Sequence, residues 1–194
     1  MLCFVEIFSL KSEAFMNTEN RTTSSESVVF KSRIFDVVER SYPGRSGAVQ
    51  KRHIVKHPGA VGIIPILSDG RVLLISQFRI SFQKVIYEIP AGTREAGEDP
   101  SKTAERELIE ETGYTAGRLD LLQPIYTSPG VLQEELFLFL GTDLIPGKDA
   151  PEDGELISLT PKTWTEIDEM IDQGEILDSK TLSGLFLARR KLSL

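Results

Sequence analysis

The stretch 92–114, GTREAGEDPSKTAERELIEETGY, constrains local structure more tightly than any other part of the chain. Asp99 is a favoured helix N-cap, Pro100 suits the first helical position and Gly113 suits the residue just past the last turn, so the spacing predicts a helix over 100–112. On that helix Glu107, Glu110 and Glu111 stand at i, i+3 and i+4 and share one face, while Ala104 and Leu108 offer an apolar side for packing. The strand-like VIYEIP ahead of Ala91 and Gly92 sets the helix behind a loop, and such a loop can bring backbone amides and carbonyls close to bound ions and phosphates.

Like charges at this spacing cost a helix roughly 0.2–0.5 kcal/mol per pair in water, and more where the face is half-buried. A divalent cation reverses the sign of that cost. Oxygen-only ligands favour a hard ion such as magnesium, with manganese as a substitute, and magnesium commonly bridges carboxylates to substrate phosphates. Acidic residues on a helix are more often simply its solvated face. The frame sets this cluster apart: Gly92, Glu98, Arg106, Glu107, Glu110, Glu111 and Gly113 follow the order G-x5-E-x7-R-E-U-x-E-E-x-G-U, where U is bulky and apolar or aromatic, here Leu108 and Tyr114. At about 6% usage per residue type, seven specified positions recur by chance in fewer than about one in a million chains of this length, so coincidence is set aside.

The frame matches the Nudix box at every defining position, and the chain resembles the Nudix hydrolases; Tyr114 is the softest match, because that family more often has an aliphatic residue there. The resemblance implies an α/β fold, a Nudix-type α/β/α sandwich with a mixed β-sheet and an N-terminal β-strand extension. It implies Glu107 and Glu111 as principal ligands of Mg2+ or Mn2+, Glu110 assisting, and the backbone carbonyl of Ala91 completing the site. Arg106 would orient a neighbouring glutamate, and Glu98, with Gly92 at the head of the loop, would give structural support.

At 194 residues the chain suffices for one well-cored domain of about 150 residues with a terminal piece. A hydrophobic content of 40% and a charged content of 26% are those of a soluble globular protein. The net charge of -7 argues against general nucleic-acid binding, which rests on Lys and Arg, and leaves room for a nucleotide whose phosphates metal ions screen. Cys3 is the sole cysteine, so no intrachain disulfide forms and a cytoplasmic setting is expected. The opening MLCFVEIFSL is short, interrupted by Glu6 and without a leading positive charge, which predicts neither a secretory signal nor a membrane partner. Residues 1–27 are expected to be a disordered extension, with translation starting at either Met1 or Met16.

Residues 28–57 read as strands around the turn PGRSG, and 58–194 as the Nudix domain. AVGIIPIL and RVLLISQF flank Ser68-Asp69-Gly70, whose Asp-Gly pair predicts a hairpin of two buried antiparallel strands. LDLLQPIYT and ELFLFLGT read as further strands, the latter with Leu136, Leu138 and Leu140 on one face and Phe137 and Phe139 on the other, which implies a sheet covered on both sides. A helix over 161–172 is expected to turn Trp164, Ile167 and Ile171 inward and to close at Gly174, and a last helix over 179–192 to bury Leu182, Leu185 and Phe186. His53 and His57 lack metal-ligand spacing.

Outside the box, Tyr126-Thr127-Ser128-Pro129-Gly130, Gln77-Phe78-Arg79, Glu88-Ile89-Pro90-Ala91-Gly92, Gly174-Glu175-Ile176 and Lys180-Thr181 make residues 28–190 similar to the ADP-ribose pyrophosphatase subgroup. Ser76 departs from it, standing where an acidic residue often precedes the Gln-Phe-Arg triplet. This resemblance implies that Arg79 contacts the substrate or its phosphates, a task suited to a planar cationic fork, that Pro129 and Gly130 line the substrate, and that Glu134 touches metal or substrate. It also implies a general base on a downstream loop, here KDAPEDGE at 148–155, with Glu155 first and Glu152 second, acting beside Glu111. The implied reaction is hydrolysis of a nucleoside diphosphate sugar, ADP-ribose giving AMP and ribose 5-phosphate, by a homodimer whose 28–57 strands help build the partner's site. The alternatives are another nucleotide sugar such as GDP-mannose, or a non-catalytic ADP-ribose sensor.

Overall fold

The computed structural model describes residues 25–147 and 157–194. In chain order the strands are β1 (Ser25–Lys31), β2 (Asp36–Pro43), β3 (Val49–Lys56), β4 (Ala60–Pro65), β5 (Val72–Arg79), β6 (Lys84–Glu88), β7 (Ala91–Thr93), β8 (Tyr114–Tyr126), β9 (Leu132–Gln133), β10 (Glu135–Pro146) and β11 (Ile157–Lys162). The helices are α1 (Pro100–Thr112), between β7 and β8, then α2 (Trp164–Asp172) and α3 (Ser179–Leu192). The described residues fall into two compact units, one of 25–57 with 131–133, the other of 58–130 with 134–194.

The smaller unit is a sheet of order β1-β2-β3-β9, antiparallel except for the β3–β9 pair. Gly47, at φ 79, closes the turn between β2 and β3, and its N–H donates to the Gly44 carbonyl at 3.0 Å. β1 begins at Ser25, so 25–27 of the polar stretch expected to be disordered are strand. Met1, Cys3 and Met16 lie outside the described residues.

In the larger unit β4 and β10 run parallel at the centre of the sheet β7-β4-β10-β8, and every residue of β4 is buried. Period-2 alternation deals the side chains to two cores. Leu136, Leu138 and Leu140 join Ile64, Ile167 and Met170 of α2, and Leu185 and Ala188 of α3, on one face. Phe139 joins Val61, Ile63, and Ala104 and Leu108 of α1 on the other. Helices thus cover both faces of a mixed sheet, the α/β/α arrangement that the two-faced apolar strand implies. A second sheet, β11-β5-β6, is antiparallel throughout.

Three readings need correction. Asp69 and Gly70 do form a tight turn, with Gly70 at φ 85, yet β4 and β5 meet through only the single bridge Ile66–Val72 and then enter different sheets. A turn signal specifies reversal of the chain; pairing was decided by β10, whose two-faced apolar surface takes β4 as a parallel neighbour. On α2, which starts at Trp164 behind the N-cap Thr163 because Pro161 and Lys162 belong to β11, the inward residues are Ile167 and Met170, with Trp164 partly buried against the same core as expected, while Ile171 is 37% exposed. On α3 the buried stripe is Thr181, Gly184, Leu185 and Ala188, with Leu182 partly buried against the same core, and Phe186 turns outward to stack under Arg190. No helix among the described residues is long and apolar enough to cross a membrane.

Candidate active site

The local signals place α1 where the spacing expects it. Asp99 is the N-cap, its Oδ1 accepting the Ser101 N–H at 2.8 Å; Pro100 opens the first turn; Gly113 ends the helix at φ 73 with its N–H on the Ile109 carbonyl. The helix packs through Ala104 and Leu108, which turns the carboxylate face toward the segment 91–93.

Two of the three glutamates on the α1 face meet that segment directly. Glu111 is only 8% exposed, and its Oε2 accepts the Ala91 N–H at 2.8 Å. The Glu107 carboxylate lies against Gly92 so closely that a Cβ there would fall 1.9–2.2 Å from its three terminal atoms. Gly92 is therefore required for space, since its backbone is not in the left-handed region. Glu110, half exposed, turns to Arg106, whose Nη1 donates to Glu107 Oε1 at 2.7 Å and to Glu110 Oε2 at 2.9 Å. The other edge of Arg106 reaches Glu98 at 3.4 Å, and Glu98 accepts the Glu95 N–H at 3.1 Å, which ties the loop to the helix. Burial works against the charge on Arg106, but hydrogen bonds and charge from Glu98, Glu107 and Glu110 outweigh it and push its pKa up. The Glu95 N–H, then Arg106, holds the Glu98 carboxyl below its ordinary value.

Among the described residues no three acidic, histidine or cysteine side chains close into a ready cation cage, and Arg106 engages both Glu107 and Glu110. The donor set nevertheless suits a hard divalent ion. Glu107 and Glu111 are carboxylates one helical turn apart, both largely shielded, both against the backbone at 91–92, and the cradle that holds Glu107 exists only because Gly92 lacks a Cβ.

Of the other candidates, Arg79 places its guanidinium edge-on against Glu88, with Nε to Oε1 at 2.7 Å and Nη2 to Oε2 at 2.9 Å. Pro129 and Gly130 sit in the turn that follows β8. Glu134 accepts the Thr127 hydroxyl at 2.5 Å, bridging the two sides of that turn. Glu152 and Glu155 lie outside the described residues. The expectations did not single out Glu88 as a buried charge. It is 1% exposed and also paired with Lys180, which reaches Asp178 at 3.1 Å. The sequence held one signal for it, an acid ending a strand whose preceding residues are Val85, Ile86 and Tyr87.

Residues 56–184 match the NUDIX domain model. The chain belongs to the Nudix family. An ADP-ribose pyrophosphatase of Bacillus subtilis is 36% identical to this chain over 165 residues, covering 84% of this chain and 89% of that protein. A methanol dehydrogenase activator of Bacillus methanolicus is 36% identical over 166 residues, 84% of this chain and 89% of that one. The crystal structure of an ADP compounds hydrolase superposes with a TM-score of 0.78 at 22% identity, over 90% of this chain and 95% of its own, and so shares the Nudix fold. The chain is a Nudix hydrolase, and Nudix hydrolases generally use divalent metal ions.

Proposed function

We propose that the protein hydrolyses the diphosphate linkage of a nucleoside diphosphate sugar, ADP-ribose first, releasing AMP and ribose 5-phosphate. The observation that carries the reading is the pair Glu107 and Glu111, held on one face of α1 and pressed onto the backbone of Ala91 and Gly92. Support for the substrate comes from relatives in two bacterial genera that are named ADP-ribose pyrophosphatases. Glu107, Glu111 and the Ala91 carbonyl, with Glu110 assisting, would hold a divalent cation, magnesium or manganese, which supplies Lewis acidity toward the diphosphate. Arg79 binds and orients the phosphates, Pro129 and Gly130 line the substrate, and Glu134 fixes that loop through Thr127. Water adds to one phosphorus, the bond from that phosphorus to the bridging oxygen breaks, and a loop glutamate, Glu155 before Glu152, accepts the water's proton. Glu98, Arg106 and Gly92 keep the glutamate face in place.

The protein acts in the cytoplasm as a homodimer joined through residues 28–57, where Val28, Val29 and Phe30 are each about half exposed; a monomeric mass by light scattering at assay concentration refutes that part. The test of the reaction is AMP or GMP release with magnesium across ADP-ribose, ADP-glucose, GDP-mannose, NADH and diadenosine polyphosphates. Preferred cleavage of ADP-ribose is expected. Preferred cleavage of GDP-mannose overturns the substrate, and binding of ADP-ribose without turnover overturns the enzymatic reading.

A further inference from the structure

Glu88 ends β6 three residues before the segment that meets the box glutamates, and it is 1% exposed. A carboxylate so placed is costly unless its charge is matched, and an apolar residue of like volume commonly serves stability as well or better. Two cations match it from different elements: Arg79 from the end of β5, edge-on at 2.7 and 2.9 Å, and Lys180 from the first turn of α3. Burial pushes the Glu88 carboxyl up, but the Arg79 hydrogen bonds and the Lys180 charge prevail and hold it below its ordinary value. Asp178, the N-cap of α3, meets Lys180 at 3.1 Å while accepting the Thr181 N–H at 2.9 Å. Thr181 is fully buried, and its hydroxyl accepts the Ile89 N–H at 2.9 Å, which clamps the end of β6 to the same turn of α3.

The edge-on contact fixes the guanidinium plane, because Nε and Nη2 are both engaged by one carboxylate and Nη1 must lie on the side away from it. The arginine is not sealed in, since 36% of its side chain is exposed. Glu88 is shared between Arg79 and Lys180, and Asp178 meets Lys180 in turn, so the four side chains form a row of alternating charge that holds Glu88 from two sides.

We propose that Glu88 and Lys180 are positioning residues for Arg79: Glu88 sets the plane of the guanidinium, and Lys180, itself held by Asp178, fixes the Glu88 carboxylate in place, so that an anionic diphosphate meets an oriented guanidinium. This rests on the hydrolase reading given above. The pair acts through Arg79 and touches no reacting atom, so its signature is a change in substrate affinity.

Full-length Lys180→Met and Lys180→Arg are assayed on ADP-ribose with magnesium. Lys180→Met is expected to raise KM about tenfold or more while kcat falls less than about threefold, and Lys180→Arg to return KM to within about threefold of the wild type. A purely structural contact would instead lower the melting temperature and the active fraction without moving KM. A KM within about twofold of wild type in Lys180→Met, or no recovery in Lys180→Arg, overturns the proposal. A second arm needs neither turnover nor the Lys180 variants. The Arg79 Nε–H resonance, assigned by its loss in Arg79→Lys, should be protected from water exchange in the wild type and lose that protection in Glu88→Leu, whose side chain offers no acceptor, and equal exchange in both also overturns the proposal. A wild type that leaves ADP-ribose intact sinks the assigned reaction alone, and the Nε–H signal still decides the positioning claim.

Discussion

Gly92→Ala isolates what the glycine of the box does. The added Cβ falls 1.9, 2.0 and 2.2 Å from Cδ, Oε1 and Oε2 of Glu107, whereas comfortable contact needs about 3.5 Å, so the carboxylate must retreat by roughly 1.5 Å. What it meets is the far end of a flexible side chain, and the fold has little to lose. An off-rotamer glutamate costs about 0.5–1.5 kcal/mol, while replacing glycine at an unstrained φ returns about 0.4–1 kcal/mol by restricting the unfolded chain. The net is under about 1 kcal/mol, a melting shift of less than about 4 °C in a chain of this length. Function should respond differently, because a displacement of about 1 Å in a catalytic constellation can cost about a hundredfold. The expectation is therefore a fall of about a hundredfold or more in kcat/KM for ADP-ribose, close to 2.7 kcal/mol of transition-state stabilisation, with a nearly unchanged melting curve. AMP release and differential scanning fluorimetry on the same preparation read both quantities. Activity within about threefold of wild type, or a loss accompanied by a melting shift above about 10 °C, would refute the claim that Gly92 exists to seat Glu107.

Glu111→Gln keeps an oxygen for the Ala91 N–H and removes the charge, so AMP release should fall by about a hundredfold or more while the melting temperature moves little; retention of a tenth of the activity would contradict a role for the charge. Glu88 is held below the ordinary glutamate value of 4.5, so its charge contributes stability above that value, and the contribution is lost as pH falls through the lower folded pKa. Melting temperatures measured down from pH 5 should decline less steeply in Glu88→Gln than in the wild type. Leu138→Ala, at a fully buried position of β10, should cost about 2–5 kcal/mol by urea denaturation, and Phe186→Ala, at a side chain 61% exposed, less than about 0.5 kcal/mol. Comparable costs would contradict the corrected face of α3.

What was legible in the sequence is what neighbours in the sequence decide. Asp99, Pro100 and Gly113 bracket α1 because capping is satisfied within a few residues, and the alternation of leucine and phenylalanine along β10 foretells two cores because a pleat has two sides. The same logic explains the errors. Asp69 and Gly70 encode a reversal and nothing about which strand β4 will pair with, and its partner Leu136 stands far along the chain from Ala60. Met170 and Ile171 are both apolar at the end of α2, and only the position of the sheet decides which of them faces it.

The candidate site divides along the same line. Glu107, Glu110 and Glu111 share a helix face by spacing alone, but the difference between their surroundings does not follow from spacing. It comes from contacts across the fold, Glu107 onto Gly92 and Glu111 onto the Ala91 N–H, with Arg106 engaging Glu110. Segment 88–93 is where these long-range restraints converge. Its Glu88 is held by Arg79 and Lys180, its Ile89 N–H by Thr181, its Pro90 carbonyl by the Ile63 N–H at 2.9 Å, and its Ala91 and Gly92 by the box glutamates. The end of β6, the link and β7 are thus tied to β4, β5, α1 and α3, and the box glutamates pack against a backbone that residues outside the box, Ile63, Arg79, Lys180 and Thr181, hold in place.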